Sequence, residues 1–202
     1  MIPRRPELFD KTVFDLVPGM LLLHTGYLTG DESARLYQVL KNEIHWQQHY
    51  LTIYGRKIPF PRLMCWMGQA GAAYRFSGNE FTPAEWHADV LTLKDCLSAF
   101  LQADFNSVLL NLYRNGSDSM SWHADDEPEL GRQPIIASVS LGAERTFVWK
   151  RKSGGASRRV TLPDGSLLVM SGDFQHQFLH ALPKTSADTP ARINLTFRAI
   201  RL

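Results

Sequence analysis

From Asn106 to the C-terminus the apolar residues fall in short runs. Val108 to Leu110, Ile135 to Leu141, Thr146 to Trp149, Val160 to Leu162, Leu167 to Met170, Phe178 to Leu182 and Ile193 to Ile200 each read as extended. Turn-forming residues such as Pro163-Asp164-Gly165 separate them, and no helical spacer of the βαβ kind lies between. This texture predicts an all-β back half, a sandwich or jelly roll. The front half reads differently. Leu36, Tyr37, Leu40 and Ile44 recur at helical spacing, predicting a helix from Asp31 to about His49 that Asp31 or Ser33 starts. Thr82-Pro83-Ala84-Glu85 has the form of a capping box with proline at the first helical position. It predicts a second helix through Trp86, Val90, Leu93, Leu97 and Phe100, on which His87 reads as structural rather than as a ligand. Between the helices, Leu51 to Arg62 reads as a hairpin-like loop with aromatics among basic residues, and Tyr74 to Gly78 as a short strand. Residues 1–29 read as loop with short strands. The expected fold class is α+β, with an α/β front half packed on an all-β back half in one domain, residues 1–202.

The last run alternates strictly. Arg192, Asn194, Thr196 and Arg198 share one face, and Ile193, Leu195 and Phe197 the other. The polar face is either solvated or turned inward, where its cations would need an anion to offset burial. A dicarboxylate would serve, because a planar guanidinium holds a carboxylate with two parallel hydrogen bonds. The two arginines start roughly 20 Å apart at about 3.3 Å per residue, so they must lean together to share one small ligand. Asn111 and Tyr113, two apart, can add an amide and a phenol to the same pocket.

A second pair at this spacing is His123-Ala124-Asp125. On a strand both side chains face one way, and with another histidine they make the facial triad that suits non-haem Fe(II) and leaves metal positions open. The remaining histidine is His176 or His180; four residues apart, they share a face on an ideal strand, and periodicity does not choose between them.

Composition narrows the classes without choosing one. The 202 residues, 44% hydrophobic and 21% charged, are those of a globular protein with one core. No apolar run is long enough to span a bilayer, since Val17 to Leu23 is short and interrupted, so no membrane partner is expected. No signal core follows the first residues, and Cys65 and Cys96 form no CxxC pair, which fits a reducing, intracellular setting. A net charge of +2 permits nucleic acid without demanding it, although Lys150 to Arg159 concentrates five cations in one hairpin tip.

Taken together, Asn111-x-Tyr113, His123-x-Asp125, His180 and Arg192-x-Asn194-Leu195-Thr196-Phe197-Arg198 resemble the AlkB family of Fe(II)/2-oxoglutarate-dependent dioxygenases. The likeness runs from Asp31 to the C-terminus and is strongest to the branch of the second and third human AlkB homologues, which act on nucleic acid. It implies a double-stranded β-helix core over residues 105–202, preceded over 1–104 by helices and a nucleotide-recognition lid. It selects His180 as the third metal ligand, from the run Phe178 to Pro183, although Leu179 stands where the family usually has tyrosine. It implies that Asn111, Tyr113, Arg192, Asn194 and Arg198 hold 2-oxoglutarate. Tyr74, Phe76 and Ser77 would line a flipped-base pocket, Glu127 would meet the exocyclic amine of the base, and Tyr54 would be a wedge entering the duplex. Arg62, Lys150, Arg151, Lys152, Arg158 and Arg159 would contact nucleic acid. The cofactors implied are Fe(II), 2-oxoglutarate and O2. The reaction is oxidative demethylation of 1-methyladenine- or 3-methylcytosine-type bases, releasing formaldehyde, succinate and CO2. The partner implied is alkylated DNA, single- or double-stranded, with RNA as a further candidate, and the chain is expected to be a monomer, cytoplasmic if bacterial and nuclear if eukaryotic. Two other functions compete: the same chemistry on a protein or small molecule, and a nucleic-acid-binding module without turnover.

Overall fold

A computed structural model describes residues 13–53, 55–69, 74–76, 79–185 and 188–201. The chain opens with a hairpin, β1 (Val13–Val17) and β2 (Leu21–His24), then helix α1 (Gly30–Glu43). Two further hairpins follow, β3 (Tyr50–Ile53) with β4 (Arg56–Pro59) and, after β5 (Leu63–Gly68), β6 (Tyr74–Phe76) with β7 (Asn79–Phe81). Helix α2 (Ala88–Leu101) leads into β8 (Ser107–Tyr113), β9 (Met120–His123) and a 3-10 turn at Pro128–Leu130. The remainder is β10 (Ile136–Gly142), β11 (Arg145–Arg151), β12 (Arg158–Leu162), β13 (Leu167–Met170), the single-turn α3 (Phe174–Gln177), β14 (Phe178–Leu182) and β15 (Arg192–Arg198).

The strands form a seven-stranded sheet, β1-β2-β13-β10-β15-β8-β5, and a four-stranded sheet, β12-β11-β14-β9, in which every pairing is antiparallel. This is the expected α+β jelly roll. β15 lies inside the larger sheet between β10 and β8. On one face Ile193, Leu195 and Phe197 join Val108, Leu110, Val139 and Leu141 beneath Leu36 and Leu40 of α1 and Val90, Leu93 and Leu97 of α2. On the other face Arg192, Asn194, Thr196 and Arg198 are all buried and line a cavity bounded also by Phe147, His180 and Leu182 of the smaller sheet. The alternation therefore serves two interiors, an apolar one under the helices and a polar one between the sheets.

The structure moves three boundaries. Helix α1 begins at Gly30, because Thr29 is its cap: Thr29 Oγ1 accepts from the Glu32 N–H at 3.3 Å, and Glu32 Oε2 accepts from the Thr29 N–H at 2.8 Å. It ends at Glu43, not near His49. Ser33 is buried and tethers the helix instead, donating to Asp164 Oδ1 at 2.5 Å. Helix α2 starts at Ala88, not after Thr82, with His87 as its cap. The reason is competition: the Ala84 N–H donates to the Trp66 carbonyl at 2.8 Å, holding that segment extended beside β5. His87 is structural, as expected, with Nδ1 accepting from the Asp89 N–H and Nε2 3.1 Å from Glu43 Oε2. Strand β5 has no counterpart in the sequence pattern, and with β1 and β2 it brings residues before 105 into the larger sheet. No helix among the described residues is long and apolar enough to cross a membrane.

The capping box carries a direct test. Thr29→Ala should lower unfolding stability by about 1 kcal/mol, through loss of one reciprocal cap. Urea denaturation checks it, with a shifted midpoint and an unchanged slope.

Candidate metal and cosubstrate site

Three side chains converge in the polar interior. His123 ends β9, His180 sits in β14, and the two are direct cross-strand partners. That register sets their rings 4.2 Å apart. Asp125 follows β9 directly, and its Oδ1 lies 3.8 Å from His123 Nε2. The potential ligand atoms of His123, Asp125 and His180 all lie within 4.8 Å of one another, a span that one metal ion can bridge. His176 does not join them: it lies on α3 and its Nε2 meets the Arg132 carbonyl.

The surroundings favour the unprotonated forms that a metal ion would need. His123 Nδ1 lies 2.8 Å from the Ser121 carbonyl, so it carries the proton and leaves the Nε2 lone pair free. Burial holds His123 below its ordinary pKa, and burial with the neighbouring His123 pushes His180 down to about 3. Burial alone would raise Asp125, but the charge and hydrogen bond of Arg198 together with the neighbouring His123 and His180 outweigh it and hold the carboxyl at about 2. The carboxylate is divided. Oδ2 accepts from Arg198 Nη2 at 2.8 Å and Nε at 3.3 Å, while Oδ1 stands on the His123 side. Gln175, fully buried, fixes the backbone here by accepting from the Asp125 N–H at 2.9 Å. Nothing in the sequence pattern points to Gln175.

The two arginines of β15 line one cavity but have different partners. Arg198 serves the metal end through Asp125, and Arg192 the far end, donating to Ser140 Oγ at 2.9 Å with its guanidinium carbon 5.3 Å from the Tyr113 ring centroid. Arg192 Nε is buried with no hydrogen-bond partner among the described residues, and burial pulls the group down to about 10. A buried guanidinium with a spare donor, facing a cavity lined by Asn111 and Tyr113, fits an anionic oxygen. A dicarboxylate thus suits the cavity, and the His, Asp, His donors suit iron.

Two sequence-based assignments need correction. Asn194 lines the cavity, but its Nδ2 donates to Ser138 Oγ and the Val139 carbonyl and its Oδ1 accepts from Thr196. Its donors are spent on the sheet, so it frames the pocket rather than offering a hydrogen bond to an anion. Arg62, expected as a nucleic-acid contact, is 1% exposed; its Nε donates to Asn111 Oδ1 at 2.8 Å and its Nη1 to the Ser119 carbonyl at 3.4 Å. It is buried against Asn111 of the cavity wall, not placed on the surface. Ser138 and Ser140 are also absent from the sequence-based site, although small polar residues two apart in Ile136 to Leu141 are a signal.

The remaining positions surround this centre. Glu127 is partly buried and caps the 3-10 turn through its backbone position. The backbone sets Tyr74 and Phe76 two apart on β6, while Ser77 and Tyr54 lie outside the described residues. The cationic hairpin is partly committed. Lys150 Nζ lies 4.5 Å from the Trp122 ring centroid, Arg151 packs on Phe178 and donates to Gln177, and Lys152 pairs with Asp126 at 2.5 Å. Arg158 and Arg159 on β12 are exposed.

Comparison with known proteins agrees with this geometry. Residues 19–198 match the model of the 2OG-Fe(II) oxygenase superfamily. The chain is 36% identical over 187 residues to human alpha-ketoglutarate-dependent dioxygenase alkB homolog 3, covering 88% of this chain and 65% of that protein. It is 37% identical over 220 residues to the DNA oxidative demethylase ALKBH2 of Arabidopsis thaliana, covering 95% and 70%. It therefore spans about two thirds of the length of these relatives. The solved structure of OsALKBH1 superposes with a TM-score of 0.65 at 20% identity, covering 92% of this chain and 99% of that one, which shows the same fold.

The lowered histidines fix the sign of a pH effect. Protons compete with metal only once the ligands titrate, so the loss of Mn(II) affinity on acidification should set in below the ordinary histidine range near 6.5. Equilibrium titration with Mn(II) checks this, and a steep fall centred near 6.5 contradicts it.

Proposed function

Since the chain belongs to the AlkB family of 2OG-Fe(II) oxygenases, we propose that it is a dioxygenase that demethylates N-methylated bases of nucleic acid. One observation carries the reading: a three-ligand centre and a buried arginine with a spare donor open into the same cavity. In this reading His123, Asp125 and His180 hold Fe(II), and Arg192, Tyr113 and Asn111 hold 2-oxoglutarate. Arg198 keeps Asp125 ionised and fixes which oxygen it presents. Iron bound there would supply, with 2-oxoglutarate and O2, the oxidising power to hydroxylate an N-methyl carbon, after which formaldehyde leaves the base.

The chain's own residues do the positioning. Phe147, Leu162, Met170 and Leu182 supply the apolar part of the cavity wall beside those polar groups. A base must leave its stack to enter the cavity. A cationic base such as 1-methyladenine or 3-methylcytosine is favoured there by the Glu127 carboxylate on the segment just after Asp125. Tyr74, Phe76 and Ser77 would line the base pocket and Tyr54 would act as the wedge. Arg158 and Arg159, exposed on β12, would meet phosphates, while Lys150, Arg151 and Lys152 divide their charge between phosphate and the braces described above.

Oligonucleotides carrying a single 1-methyladenine or 3-methylcytosine test the reading. Asp125→Ala should abolish formaldehyde release, and His180→Ala should damage metal binding far more than His176→Ala. Unchanged release from Asp125→Ala would sink the assignment.

A further inference from the structure

Arg62 is a large cation sealed inside the protein, and the reaction as proposed gives it no task. Its position comes from the end of the β3–β4 hairpin, one residue before β5, which sets it against β8 and the Ser119 carbonyl. Its guanidinium packs 5.1 Å from the Phe60 ring centroid and donates from Nε to Asn111 Oδ1 at 2.8 Å. An arginine Nε–H can only donate, so the amide oxygen of Asn111 must face Arg62. The Nδ2 group is thereby turned the other way. Asn111 lines the cavity that also holds Arg192, His123, Asp125 and His180.

We propose that Arg62 is a positioning residue for the cosubstrate: it locks the Asn111 amide so that the cavity always receives an N–H donor and never the carbonyl. For an anionic ligand the distinction matters. A flipped amide would present oxygen to oxygen, and a freely turning one would give up part of its hydrogen bond to rotational freedom. The contact runs through the Nε–H, a single donor at a fixed point of the side chain. The proposal rests on the reading that Asn111 holds 2-oxoglutarate.

The test separates donor from charge. Arg62→Gln sets an amide nitrogen at the same point of the side chain as Nε, Arg62→Met sets a methyl carbon there, and Arg62→Lys keeps the charge with a methylene there. Binding of 2-oxoglutarate to the Mn(II)-loaded protein is measured by calorimetry for each, alone and combined with Asn111→Ala. Arg62→Met and Arg62→Lys should weaken binding by roughly tenfold, Arg62→Gln should keep most of it, and Mn(II) affinity should not change. On the Asn111→Ala background, Arg62→Met should cost nothing more. Should Arg62→Met not fold, the contrast of Gln with Lys carries the same test. Equal losses in Gln and Met, full binding in Lys, or additive losses with Asn111→Ala would overturn the proposal. So would a loss of affinity for an unmethylated oligonucleotide with 2-oxoglutarate binding intact, which would return Arg62 to the nucleic acid. Full binding by Asn111→Ala alone would instead remove the cosubstrate reading of Asn111.

Discussion

Arg198 and Asp125 form an ion pair sealed between two sheets, at 2.8 Å and 4% and 3% side-chain exposure. Arg198 belongs to the centre of the larger sheet and Asp125 to the loop leaving β9 in the smaller one. Each would be costly alone. Leaving one member of such a pair without the other typically costs about 3–5 kcal/mol, so the two sheets are obliged to keep these residues together. The pair also decides the chemistry: with one carboxylate oxygen committed to Arg198, the other is left on the side of the two histidines. A structural need and a ligand orientation are met by one contact.

The same logic extends along β15. A polar face between sheets is tolerable only if its groups are satisfied: Ser138, Val139 and Thr196 satisfy Asn194, and Ser140 accepts from Arg192 Nη2. What remains is Arg192 Nε, a buried donor without an acceptor among the described residues, in a cavity that Asn111 also lines. The protein is built to be completed by an anion. Sheet register sets where: Asn194 pairs with Asn111, Arg192 with Tyr113, and His180 with His123.

Much of this is legible in the order of the residues. Period-two alternation in Arg192 to Arg198 marks the two faces of β15, and the pairs at 111/113 and 123/125 mark side chains that meet in one place. The differences between pattern and fold have physical causes. Leu63 to Gly68 lacks alternation because β5 is buried on both faces, so it carries no strand signal. Thr82 to Glu85 has good capping chemistry, yet pairing of Ala84 with β5 keeps it extended. Arg62 has the look of a surface cation because sequence does not reveal burial, and Gln175 is silent because its partner lies 50 residues away. Long-range partners of polar groups are what a single chain's pattern carries least.

The central claim is that this cavity couples cosubstrate oxidation to loss of a methyl group from a base. Succinate and formaldehyde measured together, on an oligonucleotide with one 1-methyladenine and the Fe(II)-loaded protein, test it most directly. Coupling predicts equal amounts of both products and an oligonucleotide lighter by one methylene, all dependent on 2-oxoglutarate. Succinate formed without formaldehyde and with the oligonucleotide mass unchanged would contradict it.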